Sequence, residues 1–136
     1  MSLRAEIIAT VPMAQVEQRL FVIRAADMTL TSDQAFTKSF TGTNYMVTNI
    51  FGVLKSGAFG VACIGGIFTC AAKAGDAVLA AAQSWASLSG AGTAAVASLA
   101  NLLVTKVESA TPNLSLTTGN TGALTADIFI VGVVVD

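Results

Sequence analysis

Hydrophobic positions near the end of the chain obey two different rules. Leu114 and Leu116 alternate with Ser115 and Thr117, the period-2 pattern of a strand with one wet face. Thr118-Gly119-Asn120-Thr121-Gly122 reads as a turn, because Gly and Asn tolerate the positive φ that tight turns require. Ile128–Val135 is then apolar on both faces and rich in β-branched residues, as expected of a strand covered on both sides. Such a strand needs a second sheet or another subunit as its cover. The pattern predicts a β-structured assembly protein more than an enzyme.

The rest of the chain predicts further strands. Met28 and Leu30 alternate with Thr29 and Thr31, and Phe36, Lys38 and Phe40 with Thr37 and Ser39. With Ser32-Asp33-Gln34 as a turn between them, the two runs read as a hairpin-like pair. Tyr45–Leu54 and Val61–Cys70 are the next strand candidates, and Gly65-Gly66 inside the second signals a bulge or a close backbone approach. Ala77–Leu88 and Thr93–Val104 are ambiguous. Val96, Leu99, Leu102 and Leu103 have helical spacing in Ala-rich text, while turns about every ten residues elsewhere favour strands in an antiparallel sandwich. Met1–Ala26 forms a lead segment. In it Val16, Leu20 and Ile23 mark a helix face, and Leu20–Ile23 fits a strand equally well. The organisation expected is an N-terminal arm, extended or short-helical, over residues 1–26, then a β-sandwich over residues 27–136.

Composition narrows the setting. Hydrophobic residues make up 54% of 136 and charged residues only 11%, less than half the usual share of about 25%. Mean hydropathy is +0.72. The chain therefore enters a membrane, buries surface in an oligomer, or shows a neutral Ser/Thr/Gly/Ala surface. Seven cationic residues are scattered, and the formal net charge is -1; no basic patch is present to neutralise phosphates, which argues against nucleic acid. Ser56–Ala72 and Ala77–Thr105 lack charge, but they are rich in Ser, Gly and Ala and lack clustered flanking Lys/Arg, so membrane insertion is disfavoured. Glu6 and Pro12 interrupt the early apolar run, so no secretion signal is expected, and the chain is read as staying or assembling in a cytoplasm.

Candidate chemistry is sparse. There is no histidine, which removes the commonest general base. Cys63 and Cys70 are an odd number of residues apart and read as two small buried hydrophobes. Gly90-Ala91-Gly92-Thr93-Ala94-Ala95 loosely matches a dinucleotide-binding pattern, but Ser-Trp-Ala-Ser-Leu-Ser precedes it where a buried strand is needed. The eight carboxylates stand singly, without the pairing of acid/base catalysis or a calcium loop. No catalytic residue, cofactor or metal site is assigned. Trp85 and Tyr45 are the sole large amphipathic aromatics, candidates for a sugar- or partner-binding spot.

Two segments, GGIFTCAAKAGDAVLAAAQSW (residues 65–85) and LSLTTGNTGALTADIFIVG (residues 114–132), resemble small virion structural proteins of tailed bacteriophages. The resemblance covers under a third of the chain, and its most specific part is the close of a final hairpin. It implies a head decoration, or cement, protein: an antiparallel jelly-roll-like β-sandwich, trimeric, bound to the major capsid protein in a virion assembled in the host cytoplasm. No functional site carries over from it. The chain's own residues add Ile128, Phe129, Ile130, Val131, Val133 and Val135 as expected core or subunit interface. Two rival readings are a receptor- or glycan-binding tail-fibre head that uses Trp85 or Tyr45, and a small membrane protein with a helical hairpin in residues 56–105.

Overall fold

The computed structural model describes residues 17–57, 63–86 and 107–136, together with the backbone of residues 97–98. It is all-β, with two antiparallel sheets. The strands are β1 (Gln18–Asp27), β2 (Gln34–Ala35), β3 (Thr37–Lys38), β4 (Tyr45–Gly57), β5 (Ile64–Phe68), β6 (Ala77–Leu79), β7 (Ala97–Ser98), β8 (Asn113–Thr118) and β9 (Leu124–Val134). One sheet has the order β3-β1-β9-β4-β7 and the other β2-β8-β5-β6. A single apolar cluster draws on both, with Phe21, Ile50, Ile128 and Ile130 from the first and Ile67, Leu79, Leu114 and Leu116 from the second. The arrangement is sandwich-like, two sheets sharing one core.

The apolar run at the end of the chain becomes the centre of the larger sheet. β9 pairs with β1 on one side and β4 on the other. Leu124, Ala126, Ile128 and Ile130 alternate into the core, each at most 1% exposed. The aromatic corner Phe21, Phe40 and Tyr45 packs edge to face, with centroids 5.0–5.9 Å apart. Tyr45 donates its hydroxyl to the Ala110 carbonyl at 2.6 Å, so its polar tip stays satisfied inside the core.

Several sequence expectations change in the folded chain. Of the lead segment, residues 18–26 are strand β1, so the strand alternative for Leu20–Ile23 is the one adopted; residues 1–16 lie outside the described residues. Pairing with β9 decides it, because that places Leu20, Phe21 and Ile23 in the core. The hairpin-like pair at Met28–Phe40 does not form. Asp27 ends β1 by accepting from the Thr29 amide at 3.0 Å and the Thr29 hydroxyl at 2.6 Å, a local turn that competes with strand pairing. The Gln34 side-chain amide then bonds the Asp27 backbone in both directions. β2 joins the smaller sheet and β3 the larger one.

The final hairpin is also absent, because β8 and β9 belong to different sheets. Residues 119–123 cross between them, pinned by Asn120 N–H to the Met28 carbonyl and Met28 N–H to the Leu124 carbonyl. The ambiguous Ala77–Leu88 text gives strand β6 and an isolated Ser84–Ile64 bridge over its described part, not a helix. Of Thr93–Val104, residues 97–98 are strand β7 and the others lie outside the described residues. The Gly65-Gly66 signal holds in both senses. β5 shifts register between Ile64 and Gly65, and a Cβ on Gly66 would strike the Leu79 carbonyl.

Candidate functional site

β9 turns a second apolar face away from the core, and its neighbours extend that face across three strands. Phe129 stands between Val22 of β1 and Phe51 of β4. Val131 stands between Arg19 and Asn49, Val133 faces Met46, and Asp127 faces Val53. Directly opposed residues share a face of the sheet, so Val22, Met46, Phe51, Val53, Phe129, Val131 and Val133 form one strip. All seven are half-buried, whereas the alternating residues of β9 are closed in the core. From the Val53–Asp127 pair to the Met46–Val133 pair the strip is about 20 Å long, at ~3.4 Å of rise per residue, and about 10 Å wide across three strands at ~4.8 Å spacing.

Two cations flank the strip on its β1 side. The Arg24 guanidinium carbon lies 5.0 Å from the Phe129 ring centroid and that of Arg19 lies 6.0 Å away. Each contact contributes on the order of 0.5–1 kcal/mol at an exposed site. Arg24 also meets Asp127 at 3.4 Å, with its own side chain 61% exposed. Asp127 is held by the backbone, accepting from Ala25 N–H at 2.8 Å. This bond sits at a break in the β1–β9 register where Ala25 takes φ 51. Arg24 reaches the outer face by regular alternation from Val22 through buried Ile23, and the irregularity adds Ala25 before Ala26 returns to the core. At the other end of the strip Thr48 donates to Glu17, which brings the first described residue over the same face.

The residues expected at the interface divide between the two faces. Ile128 and Ile130 are core, while Phe129, Val131 and Val133 lie on the outer strip. Val135, just past the end of β9, is half-buried. Sequence reading missed Val22, Met46, Phe51 and Val53 as members of the strip. The signal was present: Leu20–Ile23 and Tyr45–Val53, like Ile128–Val135, carry apolar residues on both strand faces.

Other candidates are inside the protein or spent on structure. Trp85 and Tyr45 are both 0% exposed, and Trp85 donates its indole N–H to the Gly65 carbonyl at 3.0 Å. Neither offers a ring for a sugar to stack on, which removes the platform of the glycan-binding reading. Cys63 is buried, and burial pushes its thiol pKa up, which weakens it as a nucleophile. Cys70 is exposed, contrary to expectation, and both cysteines are free. Asp27, Asp33 and Asp136 serve turns. Hydrogen bonds from Thr29, from the Ala72 amide, and from the Thr43 and Asn44 amides hold their pKa values below the ordinary carboxylate value. Among the described residues no group of three or more acids and cysteines is placed to hold a metal. No helix among them is long and apolar enough to cross a membrane, and β5, β6 and β7 stand where a helical hairpin in residues 56–105 was considered.

No family model matches this chain, and the comparisons with curated proteins and with solved structures found no match.

Proposed function

We propose that this chain is a non-enzymatic structural protein that works by assembly, and that its specific role is that of a bacteriophage head decoration protein. In this reading it forms trimers and binds between subunits of the major capsid protein, cementing the shell. The carrying observation is the double-sided β9. Its inner residues already complete a core, yet Phe129, Val131 and Val133 keep an apolar strip half-exposed on the other face. Contiguous apolar surface of this kind marks interaction sites in soluble proteins. A strip of about 200 Å², its length times its width, is smaller than the roughly 800 Å² per partner of a standard interface. It suits one of several linked contacts, whose combined avidity exceeds any single one.

A jelly roll is the finer fold assignment we propose. Its support is the strand order. With β3 set aside as an accessory edge, the chain crosses between the sheets β1-β9-β4-β7 and β2-β8-β5-β6 at every step but β5 to β6, as an eight-strand double Greek key does. The lead segment is assigned as an arm reduced to residues 1–16, since β1 begins at Gln18.

The test is light scattering coupled to gel filtration in detergent-free buffer, followed by co-sedimentation with empty phage capsids. A discrete trimer that pellets with capsids and raises their melting temperature is the expected result. A strict monomer at all concentrations that leaves capsids unbound and unstabilised refutes the proposal.

A further inference from the structure

The outer strip of the five-stranded sheet is half-exposed within one chain, and the chain carries a segment suited to cover it. Residues 1–16 contain Leu3, Ile7, Ile8, Val11, Met13 and Val16 with a single acid, Glu6, and a single base, Arg4. They join the described chain at Glu17, and Glu17 is bonded to Thr48 across the end of the strip. Sixteen residues reach at most about 53 Å at ~3.3 Å each, more than twice the length of the strip. β1 runs antiparallel to β9, so a chain extended backward from Gln18 leaves the sheet beyond Val133. To cover its own strip a chain leaving there would have to reverse direction at once.

We infer that residues 1–16 of one copy cover the outer strip of the five-stranded sheet of a second copy. The inference rests on the assembly reading above and names the contact that would hold subunits together. The apolar residues of the segment would shield Phe51, Phe129 and Val131. Glu6 is the acid available to the guanidinium of Arg19, for which no carboxylate partner occurs among the described residues. Passing an apolar segment from each copy to the next around a trimer enlarges a contact that the strip alone leaves small.

The experiment is disulfide trapping in the full chain with Cys70→Ser as background. One preparation carries Ile8→Cys and another Val131→Cys; they are mixed under mild oxidant and run on a non-reducing gel. A mixed dimer at twice the chain mass, absent when either preparation is oxidised alone with Cys70→Ser protein, is expected. A second pair, Ala9→Cys with Val133→Cys, repeats the measurement should one variant fold poorly by circular dichroism. Trapping only when both substitutions are in one chain, with no dimer, overturns the inference in favour of a segment folded back on its own sheet. No trapping in any combination overturns it outright. Sedimentation velocity of the unsubstituted chain separates the two readings: an oligomer without trapping sinks this inference alone, and a monomer sinks the assembly proposal as well.

Discussion

Ile130 and Val131 are neighbours in sequence and sit on opposite faces of β9, so alanine at each position measures how closed each face is. Ile130 is fully buried and lies between Phe21 and Ile50, each 1% exposed. Its truncation leaves a cavity flanked by paired strands on both sides, which resist collapse, so Ile130→Ala should cost about 3.5 kcal/mol. Val131 is half-buried. Removing two methyl groups at ~0.8 kcal/mol each, scaled by half for exposure, gives about 0.8 kcal/mol for Val131→Ala. In melting temperature the two losses are about 10 °C and about 3 °C for a domain of this size. Urea denaturation read by Trp85 fluorescence is a suitable assay, since Trp85 is the sole tryptophan and is fully buried. The measurement belongs at a concentration where the chain is monomeric. If Val131→Ala then costs as much as Ile130→Ala, the outer strip is closed within one chain and the assembly surface does not exist. Raising the concentration should enlarge the Val131 penalty alone, because association stabilises the folded state by mass action.

Three further outcomes are expected. Ala25→Gly should stabilise the protein by up to about 1 kcal/mol, because Ala25 holds φ 51, a conformation that costs an L-residue ~1–2 kcal/mol and glycine little; a thermal melt checks it. Tyr45→Phe should cost about 0.5–1.5 kcal/mol by removing the hydroxyl's hydrogen bond to the Ala110 carbonyl, seen as a lower urea midpoint at unchanged slope. The folded-state pKa values of Asp27, Asp33 and Asp136 lie below the ordinary 3.8. The stability they contribute is therefore present above pH 3.8 and is lost as the pH falls through their folded values. Asp27→Asn, Asp33→Asn and Asp136→Asn combined should flatten the fall of melting temperature below about pH 4; an unchanged acid slope would show that the three turns carry no such linkage.

The strand content was legible because most of these strands advertise themselves locally. Tyr45–Leu54 and the β-branched run to Val135 fall on β4 and β9, and Gly65-Gly66 announced its own bulge and backbone contact. Sheet membership was not legible. Met28–Phe40 and Leu114–Val135 look like hairpins because their turns are short and polar, yet each pair of runs is divided between two sheets. The deciding contacts are distant in sequence: Met28 binding Asn120 and Leu124, and Phe36 N–H donating to the Pro112 carbonyl. Three of the strip's seven residues, Phe129, Val131 and Val133, were readable from β9 alone. The remainder, Val22, Met46, Phe51 and Val53, joined it only through register.

The central place of β9 has a consequence for how the protein is made. Of the described strands, the one that joins β1 to β4 is the last to leave the ribosome, and contacts such as Arg24–Asp127 span 103 residues. Until it arrives, β1 and β4 have no common partner, and Phe21, Ile50 and Phe51 face water on a growing chain. Folding that waits for such distant pairing is slow and prone to association with the wrong surface. Synthesis rate, chaperone capture and truncation near residue 124 should therefore govern yield more strongly than substitutions in the loops do.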